Sequence, residues 1–194
     1  MGATAVVALL SGRRVYVAHC GDSRAVLGRG GGAVTLTSDH KASRPDEVAR
    51  VQAAGGQLWF GRVMGELAVS RAIGDHCLRP YVIALPEVSI VERCPDDECL
   101  VLASDGLWDV FGSSDAAALA LSRLQSAAAE GLCGAAAARA AAGALVKAAL
   151  ERGSRDNITA LVVDLRPRPA AAGADDGRPG GGRAGVKDLA APKA

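Results

Sequence analysis

The chain has 194 residues, one domain's worth, of which 49% are apolar and 3% aromatic, so its core must be built from Ala, Val, Leu and Ile. A formal net charge of +1 gives bulk electrostatics no part in attracting nucleic acid or an acidic membrane. No apolar run reaches the roughly 20 residues of a membrane span, so neither nucleic acid nor membrane is expected as a partner. The apolar N-terminus lacks a basic lead-in and reads as a strand rather than a signal peptide. Five cysteines, an odd count without repeat spacing, read as reduced thiols, which points to a cytoplasmic and/or nuclear protein.

Taken in chain order, residues 4–10 are β-branched and apolar, and 13–19 alternate, with Val15 and Val17 on one face. Residues 23–28 follow a Gly-Asp turn, and 33–37 follow a glycine turn; together these runs predict an antiparallel meander. Ser43-Arg44-Pro45-Asp46-Glu47 predicts a helix start, with Pro in the first turn and acids at the positive end, and Gly55-Gly56 predicts its stop. Residues 57–69 read as irregular. Residues 88–91, 99–103 and 158–165 read as strands, and 114–129 and 135–150 as Ala/Leu-rich helices. From residue 166 Pro, Gly and Ala dominate, so 166–194 is expected to be a disordered tail. Runs of strands with helices interspersed predict an α+β domain over residues 1–165.

Two polar turns carry the strongest chemical suggestion. Ala103-Ser104-Asp105-Gly106-Leu107-Trp108-Asp109 closes a hydrophobic strand, and Ser154-Arg155-Asp156-Asn157-Ile158-Thr159 opens another. Carboxylates at adjacent strand ends supply the oxygen donors that Mg²⁺ or Mn²⁺ prefers, and such ions activate water and stabilise phosphoryl charge. Asp and Asn also form turns by bonding their own backbone, so plain turn formation is the first reading of either segment taken alone.

The order of motifs resembles the metal-dependent serine/threonine protein phosphatases of type 2C. Gly21-Asp22-Ser23-Arg24, Asp39-His40-Lys41, Arg62-Val63-Met64-Gly65, residues 67–75, residues 100–110 and Asp156-Asn157-Ile158-Thr159 match that family's motifs in sequence. The resemblance implies a sandwich of two antiparallel β-sheets flanked by α-helices. It implies hydrolysis of phosphoserine and phosphothreonine by metal-activated water, with two or more Mg²⁺ or Mn²⁺ ions. Asp105 and Asp156 correspond to carboxylate ligands, Asp39 to a ligand of a weaker third site, and Asp109 to a residue beside the cluster. Phosphoproteins are the implied substrates, and a hormone receptor or kinase is a further partner the resemblance allows.

The family's Asp-Gly-His-Gly segment and its phosphate-gripping Arg have no counterpart in this sequence. The catalytic residues beyond the metal ligands are therefore unassigned. The expected domain is N-terminally truncated, as a shortened gene model, a short isoform or a domain fragment. Open sheet edges and aggregation are expected to follow.

Lesser signals follow. Trp59, Arg62 and Gly65 lie where the plant hormone-regulated branch carries a partner-binding flap, which makes an inactive binding protein the alternative function; an ordinary hairpin aromatic is the simpler reading of Trp59. His40 and His76 read as hydrogen-bonding or surface residues and Arg71 as an anchor for an acidic turn. Cys133 and Arg139 have the spacing of cysteine-based phosphatases, but four alanines between them favour continuous helix over a phosphate-cradling loop.

Overall fold

The computed structural model describes residues 1–167. All but two residues of the expected tail lie outside the described residues. The elements in order are β1 (Gly2–Ala3), β2 (Ala5–Leu10), β3 (Arg14–Cys20), β4 (Arg24–Arg29), β5 (Gly32–Thr35), α1 (Pro45–Ala53), β6 (Leu58–Trp59), β7 (Arg62–Val63) and β8 (Ile73–Gly74). After a 3₁₀ turn at His76–Leu78 come β9 (Glu87–Glu92), β10 (Asp97–Ala103), α2 (Asp105–Trp108), α3 (Ser113–Ala129), α4 (Gly134–Glu151) and β11 (Ala160–Asp164).

Two antiparallel sheets form the α+β sandwich, one in the order β11-β10-β4-β5 and the other β2-β3-β9. Period-two alternation decides which side chains enter it. Val15 and Val17 of β3 meet Ala25, Leu27 and Leu100 of the facing sheet, and Val6, Ala8 and Leu10 close the layer. α3 and α4 cover the other face of the four-stranded sheet with a small-residue stripe of Ala116, Ala120, Leu124, Ala137, Ala141 and Leu145. Among the described residues no helix covers the outer face of the three-stranded sheet. α1 instead packs Val51 against Val63, Val69, Leu78 and Val82 in a separate cluster.

The early strands differ from the expected meander. β3 and β4 belong to different sheets, and the chain crosses between them at Gly21, whose φ of 107° suits glycine. Within residues 57–69 the chain forms a tight hairpin, β6–β7, with Phe60 and Gly61 at positive φ. The last strand is shorter than its apolar run predicts, because residues 157–159 are committed to hydrogen bonds with Ser104. α4 runs unbroken from Gly134 past Arg139, so Cys133 and Arg139 form no phosphate loop.

Candidate metal centre

β10 ends at Ala103, and Ser104 starts the single helical turn α2, which carries Asp105. The second acidic turn lies directly across from it. Ser104 N–H donates to the Thr159 carbonyl at 3.0 Å, Thr159 N–H donates to Ser104 Oγ at 3.0 Å, and Ser154 Oγ donates to the Gly106 carbonyl at 2.6 Å. Gly106 is required here. A Cβ at this position would sit 2.4 Å from the Asn157 carbonyl oxygen, well inside van der Waals contact. The turns are thus stitched together by backbone and hydroxyl groups, and the Asp156 carboxylate takes no part in that stitching but accepts from Asn157 N–H at 2.6 Å within its own turn. A groove of about 420 Å³ lies beside Asp156, lined by Asp109, Val110, Gly153, Ser154, Arg155 and Asp156, and Asp105 is not part of its lining.

The electrostatics around Asp105 are strained. Burial pushes the Asp105 carboxyl above its ordinary value, and the negative fields of Asp22, Asp156 and Asp109 push it the same way, with Lys41 opposing. Asp22, part of the Gly21-Asp22-Ser23-Arg24 motif but assigned no role from the sequence, forms a third acidic turn at a strand end. It is buried and accepts a 2.6 Å ion pair from Lys41 Nζ. Burial works against the Lys41 charge, but its bond to Asp22 and the fields of Asp22, Asp109 and Asp105 outweigh that and raise its pKa. An all-oxygen donor set with excess negative charge fits a hard divalent cation such as Mg²⁺ or Mn²⁺.

Asp39, expected at a further site, is engaged by a different partner and lines a separate groove with Arg24 and Lys41. Arg24 clamps both its oxygens, at 3.0 and 2.7 Å, and lies 5.1 Å over the Trp108 ring. The Asp39 bond is the main cause of the raised Arg24 pKa, with Asp109 and Asp22 adding to it. Arg24 therefore links Asp39 to the acidic turns.

The residues nearest one another by ligand geometry lie elsewhere. His19, His40 and Glu87, and separately Asp46, Glu47 and Glu87, bring ligand atoms within 4.8 Å. Most of these atoms already have partners, although the buried His40 Nε2 neither donates nor accepts a hydrogen bond among the described residues. His19 Nε2 donates to the Ser38 carbonyl at 2.8 Å, Arg44 binds Glu87, and Arg71 Nη2 lies 3.3 Å from the same carboxylate. Glu47, fully buried, accepts from Arg71 at 2.7 Å and from Arg50 at 2.8 Å. Arg71 thus anchors helix α1 rather than an acidic turn. His40 is buried, stacks on His19 at 4.4 Å, and has its pKa lowered by burial and then by His19 and Arg71.

The flap residues sit together on the β6–β7 hairpin. Trp59 packs against Gly65, where a Cβ would approach its ring at 3.1 Å, and Arg62 donates to the Glu66 carbonyl. Phe60 at the tip is fully exposed.

Residues 1–158 match the family model described as protein phosphatase 2C. "Probable protein phosphatase 2C 8" of Oryza sativa subsp. japonica is 56% identical over 173 residues, covering 86% of this chain and 43% of that protein. "Protein phosphatase 2C 37" of Arabidopsis thaliana is 51% identical over 173 residues, covering 87% and 43%. The chain therefore spans less than half the length of these curated relatives. Among solved structures, the serine-threonine phosphatase 2C from Toxoplasma gondii aligns with a TM-score of 0.68 at 31% identity, covering 83% of this chain and 57% of that one. A structure titled as a C. elegans sex determining protein aligns with a TM-score of 0.73 at 30% identity, covering 84% and 40%.

Proposed function

The chain belongs to the protein phosphatase 2C family, and from that premise we propose that its full-length form is a metal-dependent protein serine/threonine phosphatase acting on phosphoproteins. The observation that carries this reading is the stitched pair of turns, which brings Asp105 into the negative fields of Asp156, Asp22 and Asp109 with Lys41 opposing them. Asp105 and Asp156 would hold Mg²⁺ or Mn²⁺, Asp39 would serve a weaker further ion, and Asp109 would orient the shell around them. When bound, such ions supply a nucleophilic hydroxide near neutral pH and neutralise charge on the phosphoryl oxygens.

This chain's own residues then have defined tasks. Gly106 permits the close approach of the two turns. Lys41 holds the Asp22 carboxylate at 2.6 Å and opposes the negative field that Asp22 lays on Asp105. Arg24 holds Asp39 in one orientation until a cation competes for it. No residue described here is assigned as general acid or phosphate clamp.

The test is phosphate release from a phosphothreonine peptide by residues 1–194 with Mn²⁺ titrated in, alongside calorimetric Mn²⁺ binding. Release that requires Mn²⁺ and is lost in Asp105→Asn and Asp156→Asn supports the proposal. Release without divalent ions, or Mn²⁺ binding untouched by both substitutions, overturns it. Mn²⁺ binding lost in both variants without any turnover assigns only the ligand part to this chain and favours the second reading.

That second reading is a binding protein that docks a receptor or kinase through the hairpin, and the exposed Trp59 and Phe60 favour it. Trp59→Ala should weaken capture of such a partner, and unchanged capture of every candidate would remove this reading.

A further inference from the structure

Arg24 and Asp39 are brought together by the backbone before their side chains meet. Arg24 opens β4 and pairs in register with Ala103, the last residue of β10, so it stands beside the turn that carries Asp105. Asp39 follows β5 on a segment tied to the same strand. Leu36 N–H donates to the Ala25 carbonyl at 2.9 Å, and Ala25 N–H donates to Thr37 Oγ1 at 3.1 Å. The residue after Asp39 is fixed as well, with His40 N–H donating to the Gly21 carbonyl at 3.0 Å. The guanidinium has a platform in the buried Trp108 ring, 5.1 Å away, whose indole N–H donates to the Ala103 carbonyl at 2.9 Å. Little side-chain freedom is left to lose when the pair forms, the condition under which a bidentate arginine–carboxylate bond holds best.

Asp22 and Asp39 each carry a basic partner, and the partners differ. Lys41 meets Asp22 through one carboxylate oxygen at 2.6 Å. Arg24 meets both oxygens of Asp39, through Nε at 3.0 Å and Nη2 at 2.7 Å. A cation approaching Asp39 therefore finds a guanidinium against each oxygen. The surroundings otherwise suit a hard ion, because Asp39 lines a groove of about 420 Å³ with the hydroxyl-bearing Thr35, Thr37 and Ser113, an all-oxygen donor set. Asp109 and Asp22 lay negative fields on Arg24 as well, so its charge already stands where an incoming ion would be drawn.

We propose that the Arg24 guanidinium is the resident cation of Asp39 and sets the affinity of this carboxylate for Mg²⁺ or Mn²⁺, because an ion gains Asp39 only by displacing Arg24. The proposal rests on the reading above that Asp39 serves a further ion, and it gives a physical reason for the weaker hold assigned to that ion. Two positive charges drawn to one carboxylate repel each other, so ion and arginine compete for it. The competition is reciprocal, since the factor by which Arg24 weakens the ion is the factor by which the ion loosens Arg24. Asp105 is opposed by the field of Lys41 rather than by a bidentate bond, so the two places should differ in affinity.

The test is calorimetric Mn²⁺ titration of residues 1–194 as the natural chain, Arg24→Gln, Asp39→Asn and Arg24→Gln/Asp39→Asn, with far-UV circular dichroism to check that each is folded. Arg24→Gln should tighten the weakest Mn²⁺ event by about tenfold or more, or make such an event visible where the natural chain shows none. Asp39→Asn should remove that event, and the double variant should match Asp39→Asn alone. An Arg24→Gln titration like that of the natural chain overturns the proposal. Equal tightening by Arg24→Gln with and without Asp39 overturns it too, because the effect would then be a general field and not competition for one carboxylate. The unsubstituted chain provides a second readout by nuclear magnetic resonance. The Arg24 Nε–H signal, assigned by its loss in Arg24→Gln, should shift as diamagnetic Mg²⁺ fills the weaker site. A signal that stays in place while that ion binds overturns the proposal. The metal centre itself is judged separately, by Asp105→Asn/Asp156→Asn. Tighter Mn²⁺ binding that survives this pair overturns the metal-centre reading. Where it is lost as expected, a negative result with Arg24→Gln overturns the role of Arg24 alone.

Discussion

Two charged clusters in this molecule use similar residues to opposite ends. Around α1, Glu47 is buried and accepts from Arg71 and Arg50, while Glu87 is held by Arg44 with Arg71 alongside. Around α2, Asp105 is pushed together with Asp22, Asp156 and Asp109 with Lys41 as counter-charge. The carboxyl of Glu47 feels burial as its largest influence, yet the Arg71 and Arg50 bonds overcome it and hold the group well below the usual range. Burial and neighbouring carboxylates push Asp105 the other way. A carboxylate lowered by arginines is a brace satisfied from within, whereas a carboxylate raised by other carboxylates awaits a cation from outside. That contrast separates the sites even though the compact groups of potential ligand atoms include Glu47 and Glu87 and not Asp105.

The comparison can be broken at its satisfied end first. Glu47→Ala should cost about 3–5 kcal/mol in urea unfolding, because it strands the buried Arg71 guanidinium and the partly buried Arg50 beside it. Its pH signature follows from the depressed carboxyl. The stabilisation is fully present above the ordinary value of 4.5 and is lost as pH falls through the lower folded value. The stability difference between the natural chain and Glu47→Gln should therefore be constant near neutral pH and shrink in acid. A difference that does not change with pH would remove Glu47 from the linkage.

At the unsatisfied end, Mn²⁺ at a hundredfold excess over its dissociation constant should stabilise the chain by about 2.7 kcal/mol. Asp105→Asn/Asp156→Asn should abolish that gain, and thermal melts with and without Mn²⁺ measure both. Gly106→Ala should cost about 1–3 kcal/mol by forcing a methyl group against the Asn157 carbonyl and parting the two turns. It should also weaken Mn²⁺ binding, whereas an effect on stability alone would mean that the turns do not need each other to bind metal. The smallest expected effect has the opposite sign. Asp105→Asn without metal should raise stability by about 0.5 kcal/mol, since it relieves repulsion from Asp22 and Asp156. A destabilised variant would show that Asp105 is satisfied by the fold, and the contrast between the two clusters would then fail.

Much of the frame was legible in the residues. Pro45 with Asp46 and Glu47, then Gly55, marked α1 because backbone geometry and the helix dipole act locally. Asp105 and Asp156 were legible as acidic turns because each ends or begins an apolar run. Asp22 was passed over although it has the same local pattern, because only its position across the sheet crossing at Gly21 makes it a neighbour of Asp105. Arg71 was expected at an acidic turn and instead reaches Glu47 on a helix, a pairing between residues that sequence distance hides.

The sequence by itself determined the order of the longer strands and helices, the α+β class and the acidic turns beside strand ends, since these rest on periodicity, turn chemistry and local charge. Only the tertiary structure decided that β3 and β4 part into different sheets and that the turns at residues 104–109 and 154–159 share hydrogen bonds. The same holds for the fate of the charges, because arginines reach Glu47 and Glu87 while acids surround Asp105. Whether a charge is compensated depends on which groups lie within a few ångströms after burial, and no local pattern carries that information.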